Sequence, residues 1–275
     1  MQHATSKTIG TTTINPEEVE RFSRIAEEWW DENGKFKPLH RINPLRLRFI
    51  RDHACAHFGR NPDTLRMLSG LTLLDIGCGG GLLCEPLTRL GASVTGIDAS
   101  EKNIAVASLH AEQMGLEIDY RATTPEALAE GASQESEATH GAAAAEPEHG
   151  KRSPTHQYDI VLALEIIEHV EDVPLFMESV CALVKPGGLL FMSTLNRTVK
   201  SYALAILGAE YVLRWLPVGT HSWNKFVKPS ELNTYLRNQR LQLMEQTGMV
   251  FNPVKNIWSL KPDDLGVNYL LVAKK

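Results

Sequence analysis

The 275-residue sequence predicts an α/β fold, a doubly wound, mostly parallel sheet with helices on both faces. Three observations predict it. Apolar strand-like runs and amphipathic runs alternate from Leu71 to Asn196, the pattern of repeated strand–helix–strand units. The first of these strands passes directly into a glycine cluster, "LLDIGCGGGLL", Leu73 to Leu83, and glycine permits the tight turn and close backbone approach found at ligand sites of such sheets. The next strand, "SVTGID", ends in the acidic Asp98 about 20 residues beyond the loop, where dinucleotide and nucleoside sites place a ribose-binding carboxylate.

The elements follow in order. Asn15 caps a helix over Pro16 to Trp30, with Pro16 in the first turn and Val19, Phe22, Ile25, Ala26 and Trp29 at helical spacing. After the turn "DENGKFKP" a second helix is expected to start near Asn43, with Pro44 at its first position. "LTLLDIG" is the first strand, and "LLCEPLTRLG" is a helix stopped by Gly91. "SVTGID" is the second strand, and the following helix is capped by Ser100 and stopped by Gly115. "EIDYRAT" and "YDIVLAL" are strands, the latter apolar enough to be buried on both faces. A helix from Pro174 to Val184 runs to "KPGG", and "LLFMSTLN" is the strand after it. The complete sheet is expected to have seven strands, with its ligand at their carboxyl ends.

Composition narrows the function. A net charge of −5 and a pI near 6.1 exclude a general electrostatic grip on nucleic acid. Cys55, Cys78, Cys84 and Cys181 form neither a C-x-x-C pair nor a disulfide framework, which fits a reducing compartment. The first residues lack the apolar core of a signal peptide, and no window holds the ~20 apolar residues of a membrane span. Glu130 to His156 is rich in Ala, Glu, Ser, Gly and Pro, and 129–156 is expected to be a disordered insertion. Residues 1–15 are expected to be a flexible terminus, 16–60 a helical lid, and 61–275 the main domain.

The spacing of the glycines separates two ligand classes. A dinucleotide fingerprint needs a third glycine five positions after the first, and here that position is Leu82, which disfavours an oxidoreductase. Glycines fall instead at Gly77, Gly79, Gly80 and Gly81, with Asp75 two positions before the first. An acidic residue there repels a pyrophosphate and stabilises a cation. D-x-G-x-G-x-G followed by a strand-terminal acid is similar to the first two motifs of class I methyltransferases, a Rossmann-like fold. The ligand is then S-adenosylmethionine, whose sulfonium and ammonium suit Asp75 and whose ribose hydroxyls suit Asp98.

The flanking stretches resemble one family more closely, the ubiquinone-biosynthesis O-methyltransferases. They include "WWDENGKFKPLHRINPLRLRFI", "LEIIEHV", "LVKPGGLLFMSTLNRT", "GAEYVLRWLPVGTHSWNKFVKP" and the terminal "VNYLLVAKK". The resemblance implies methylation of 2-polyprenyl-6-hydroxyphenol and 3-demethylubiquinol. It also implies contacts to S-adenosylmethionine from Arg46, Gly77, Asp98 and Leu164, to which the loop geometry adds Asp75 and Gly79. Another small-molecule methyltransferase, or a regulatory protein that binds the methyl donor without turning it over, is the alternative.

Glu165, Glu168 and His169 follow the fourth strand with spacings that place them on one side of a helical turn. Two carboxylates and an imidazole suit a divalent cation such as magnesium, which would lower the pKa of a bound phenol, and the resemblance points the same way. His169 as a direct general base, or a purely structural triad, are the other readings. Residues 197–229 combine Tyr202, Leu204, Ile206, Leu207, Tyr211, Val212, Leu213 and Trp215 with Arg197, Lys200, Arg214, Lys225 and Lys228. That composition suits a substrate lid that also rests on an anionic membrane. The chain is thus expected in the cytoplasm, peripheral to the inner face of the membrane, with a polyprenylated phenol or quinol as substrate and other ubiquinone-pathway enzymes as candidate partners.

Overall fold

The computed structural model describes residues 12–130, 157–202, 223–252, 255 and 257–275. The core of the insertion and the apolar stretch of the 197–229 segment, including Leu204 to Trp215, lie outside the described residues.

Five strands form the parallel part of the sheet: β1 (Thr72–Ile76), β2 (Ser93–Asp98), β3 (Asp119–Ala122), β4 (Tyr158–Leu164) and β5 (Val184–Leu195). Three antiparallel strands complete it: β6 (Gln242–Asn252), β7 (Ile257–Lys261) and β8 (Asn268–Lys274). The sheet order is β3-β2-β1-β4-β5-β8-β6-β7. It has eight strands where seven were expected, because β6 continues into a hairpin and β7 extends the antiparallel edge.

Helix α1 (Pro16–Ser23) precedes α2 (Lys37–His57), and α3 (Cys84–Arg89), α4 (Glu101–Gln113), α5 (Val173–Ala182) and α6 (Pro229–Asn238) cover the sheet. Alternation along the strands sorts the core into two layers. Leu73, Ile160, Leu162, Phe191 and Leu270 face one side with Phe49 and Ile50 of α2 and Leu87 of α3. Leu74, Val161, Ala163, Leu190 and Tyr269 face the other with Phe176 and Val180 of α5 and Leu232 and Leu236 of α6. Burial on both faces explains why β4 has no polar alternation.

Two sequence boundaries move. The Asn15 side chain accepts from the Glu17 and Glu18 amides at 3.0 and 3.2 Å, so α1 starts as expected. It stops at Ser23, well short of Trp30, and a 3₁₀ turn at Ala26–Glu28 redirects the chain. That turn buries Ala26 and Trp29 with Phe36 in an apolar cluster of their own, and tertiary burial outweighs the helical periodicity that continued through them. Helix α2 begins at Lys37, with Pro38 in its first turn and Pro44 inside. Pro44 removes one interior donor, yet the helix persists because Ile42, Arg46, Phe49 and Ile50 form a buried face across that position.

The carboxyl ends of the parallel strands deliver the glycine loop, Asp98 and Glu165 to one edge of the sheet. Because β8 runs antiparallel to β5, with Asn268 opposite Leu195, the start of β8 reaches the same edge.

Candidate active site

A cavity of about 770 Å³ opens at that edge. The glycine loop forms its floor: Gly77, Gly79 and Gly81 take φ of 71, 54 and 85°, a region that L side chains avoid. A Cβ at Gly77 would lie 2.8 Å from Ile166 Cδ1, and one at Gly79 or Gly80 would enter the indole of Trp29. The glycines are therefore required both by the turn and by the segment lying over it.

Asp98 is stitched into the loop. One oxygen accepts from the Gly79 amide at 3.0 Å, and the other from the Ser100 amide at 2.8 Å and Asn103 Nδ2 at 3.2 Å. Burial pushes its carboxyl pKa upward, and these donors oppose the shift. Asp75 is 3% exposed and accepts from the Cys84 thiol at 3.3 Å. Burial pushes it to about 7, the thiol opposes that rise, and the charge of Asp98 adds to it. Its position beneath the loop came from sequence; its burial did not.

Arg46 is buried on α2 with its guanidinium at the cavity. Its Nη2 pairs with Glu165 at 2.6 Å and its Nη1 donates to Asn43 at 3.3 Å, while its Nε is buried with no hydrogen-bond partner among the described residues. Leu164, the last residue of β4, is buried and lines the cavity.

The acidic triad departs from expectation. Glu165 has φ 53° and ends the strand in a left-handed kink, followed by a 3₁₀ turn at Ile167–His169. The three side chains consequently do not share a helical face. Glu165 takes Arg46, Ser193 Oγ at 2.7 Å and both contacts from Asn268 Nδ2 at 3.3 Å. Glu168 accepts from Thr194 at 2.8 Å, and His169 Nδ1 lies 3.2 Å from Glu18. Burial, then the charge of Glu165, pushes the Glu168 carboxyl to about 7. Among the described residues no three His, Cys, Asp or Glu side chains converge as a ready ligand set.

Sequence reasoning missed how the amino-terminal segment is fastened over the site. Trp29 donates to Asn103 at 3.0 Å and stacks on Phe36 at 3.6 Å. Trp30 donates to the Gly80 carbonyl at 3.0 Å and stacks on His110 at 3.5 Å, and His110 in turn meets the buried Glu85. The Thr13 amide donates to Glu126, and Asn15 to Glu171. A pair of tryptophans just before a glycine-loop domain was the available signal. Asn268 was also missed, and nothing but its place in "VNYLLVAKK" marked it.

A parallel sheet with a D-x-G-x-G-x-G loop and a strand-terminal acid at the mouth of one cavity defines the class I S-adenosylmethionine-dependent methyltransferases. A family model described as a methyltransferase domain matches residues 45–246. Solved structures agree on the fold. Magnesium protoporphyrin IX methyltransferase (ChlM) of Synechocystis PCC 6803, with bound SAH, aligns at TM-score 0.54 and 18% identity, covering 97% of this chain and 90% of that one. The plantazolicin methyltransferase BpumL aligns at 0.56 and 17%, covering 94% and 97%. Much nearer in sequence are proteins named ubiquinone biosynthesis O-methyltransferase. That of Rhodopseudomonas palustris (strain BisB18) is 51% identical over 269 residues, 98% of this chain and 96% of the relative. That of Brucella anthropi is 51% identical over 264 residues, 96% and 97% respectively. The chain belongs to the ubiquinone biosynthesis O-methyltransferase family, enzymes that use S-adenosylmethionine as methyl donor.

Proposed function

We propose that the chain methylates hydroxyls of polyprenylated phenol and catechol rings, 2-polyprenyl-6-hydroxyphenol and 3-demethylubiquinol, in ubiquinone biosynthesis. The observation carrying this reading is the cavity itself. It is lined by Asp98, the glycine loop and Glu165 and also by the apolar Leu39, Ile42, Met249, Phe251 and Trp258. Acidic and glycine lining together with a broad apolar lining suits a charged methyl donor and a prenylated ring.

The donor site fits S-adenosylmethionine on residues of this chain. Gly77 and Gly79 let the ligand approach the backbone, and Asp98 faces the ribose hydroxyls. Asp75 places acidity under the cationic end, and Leu164 closes the far side. The Nε of Arg46, without a partner among the described residues, supports a charge-assisted bond from Arg46 to the donor carboxylate. When bound, the donor supplies an electrophilic methyl on sulfur. The protein's part is alignment, worth up to about 7–11 kcal/mol, exclusion of water by residues 16–60 acting as a lid, and removal of a phenolic proton.

That proton is the chemical obstacle, since a phenol has a pKa of ~10 by analogy with tyrosine. The donor set of Glu165, Glu168 and His169 is chemically suited to magnesium, and a cation there would favour the ionised form of Glu168, which burial first and the charge of Glu165 second disfavour. We assign these three residues as its ligands, with lowering of the phenol pKa as the chemistry supplied. Holding it requires Glu165 to share its carboxylate with Arg46, whereas the contact of His169 Nδ1 with Glu18 leaves Nε2 to face the cation, the usual arrangement of a carboxylate behind a ligating imidazole.

No helix among the described residues is long and apolar enough to cross a membrane. A lipid-borne substrate and the composition of 197–229 support a cytoplasmic protein on an anionic membrane surface, near other enzymes of the pathway. Vesicle co-sedimentation tests that placement: anionic liposomes should retain the protein, and failure to do so ends the surface-docking reading.

The test of the reaction is transfer of a labelled methyl to a prenylated catechol. Product is expected with wild type and not with the Glu165→Gln/Glu168→Gln double variant, which should still bind S-adenosylmethionine. Undiminished turnover of the double variant after chelation would remove the metal assignment. Absence of catechol product from wild type would remove the substrate assignment.

A further inference from the structure

Asn268 carries a polar atom that no described residue engages. It is the first residue of β8, 8% exposed, and it lines the cavity. Its Nδ2 donates to both oxygens of Glu165 at 3.3 Å. The carboxylate settles which way the amide faces, because an amide carbonyl turned toward two carboxylate oxygens would be repelled. Its Oδ1 is thereby aimed elsewhere, and it is buried with no donor among the described residues. A buried acceptor left without a donor is costly enough that native structures rarely keep one.

Position indicates which ligand supplies the missing donor. Asp98 ends β2 and Asn268 starts β8, and the sheet places β1, β4 and β5 between those strands. Four steps of ~4.8 Å put roughly 19 Å between the two strand ends. Glu165 and Leu164, at the end of β4, stand between them. The proposed donor site occupies the β2–β1–β4 side, which leaves the β5–β8 side, where Asn268 starts its strand, to the acceptor ring. The ring bears hydroxyls, and a hydroxyl is a donor.

We propose that Asn268 Oδ1 accepts a hydrogen bond from a ring hydroxyl of the acceptor, making Asn268 a substrate-positioning residue that selects rings carrying two adjacent hydroxyls. This rests on the reading of the reaction given above. One hydroxyl faces the methyl donor near Glu165 while its neighbour is held by Asn268. The same amide ties the grip on the ring to the orientation of Glu165, whose left-handed backbone (φ 53°) is a costly state sustained by its surroundings.

Calorimetry on the protein saturated with S-adenosylhomocysteine tests this, using a short-tailed catechol and the matching monophenol that lacks one hydroxyl. Wild type should bind the catechol about 10–100-fold more tightly, the discrimination of a site built around a hydroxyl. Asn268→Ala should bring that ratio to within about threefold by weakening the catechol alone, with S-adenosylhomocysteine affinity unchanged. A wild-type ratio near one overturns the proposal without any variant. Equal weakening of both rings in Asn268→Ala, or loss of S-adenosylhomocysteine affinity, also overturns it, since a merely structural role or a contact to the methyl donor would do that. Wild type that binds the catechol with the expected ratio yet never methylates it would refute the proposed reaction and leave the assignment of Asn268 standing.

Discussion

Replacing Asp75 by Asn is expected to stabilise the unliganded protein and weaken its hold on the methyl donor. Asp75 is fully enclosed beneath the glycine loop, and burial pushes its carboxyl from 3.8 to about 7. The folded state therefore holds a proton that the unfolded state has released between those values. Stability from this group is complete below pH 3.8 and is lost as pH rises through about 7. At pH 8 the whole gap counts, about 4 kcal/mol at 1.36 kcal/mol per pH unit, whereas at pH 5 it is about 1.6 kcal/mol. Asn has the same shape, accepts the Cys84 thiol equally well and never ionises. Its advantage over wild type should grow by about 2–3 kcal/mol between pH 5 and pH 8, read from urea midpoints at constant m-value. At pH 8, where the wild-type carboxyl is ionised, S-adenosylmethionine affinity should fall about tenfold or more through loss of the negative charge facing its cationic end, and at pH 5, where it is protonated, the loss should be smaller. A stability difference that is equal at the two pH values would refute the argument, because it would mean that Asp75 ionises in the folded protein as it does in water.

Two further outcomes follow from the loop and its cover. Gly80→Ala puts a methyl into the Trp29 indole, so S-adenosylhomocysteine affinity should drop at least about tenfold and the melting temperature should fall by several degrees; unchanged calorimetry would show that Trp29 does not need to lie on the loop. Arg46→Lys keeps the charge but loses the fork that serves Glu165, Asn43 and the free Nε together, and the dissociation constant for S-adenosylmethionine should rise about 10–100-fold; a change under threefold would remove Arg46 from the carboxylate site.

Much of the site was legible because it is local. The D-x-G-x-G-x-G loop, Asp98 at the end of its strand, and Leu164 at the end of the buried strand are set by turn geometry and by strand period, both of which operate over a few residues. The acidic triad was legible as a cluster and misread in shape. Its spacing suggested a helical turn, but the chain leaves β4 through a left-handed Glu165, a conformation that Arg46, Ser193 and Asn268 sustain from α2, β5 and β8. The early start of α2 and the end of α1 at Ser23 were decided in the same way. Burial of Trp29 and Phe36 over the glycines outweighed the periodicity of the helix that contains Trp29 in sequence.

By itself the amino-acid sequence determined the alternating architecture, the nucleoside loop with acidic partners in place of a third fingerprint glycine, and membership of a methyltransferase family. Tertiary structure alone decided that Asp75 would be buried, that Arg46 would pair with Glu165, and that β8 would run antiparallel so that Asn268 meets the end of β4. The physical reason is range. Turns, caps and strand alternation are paid for within a few residues, whereas charge pairing, burial and the meeting of distant strand ends depend on which elements the folded sheet sets side by side.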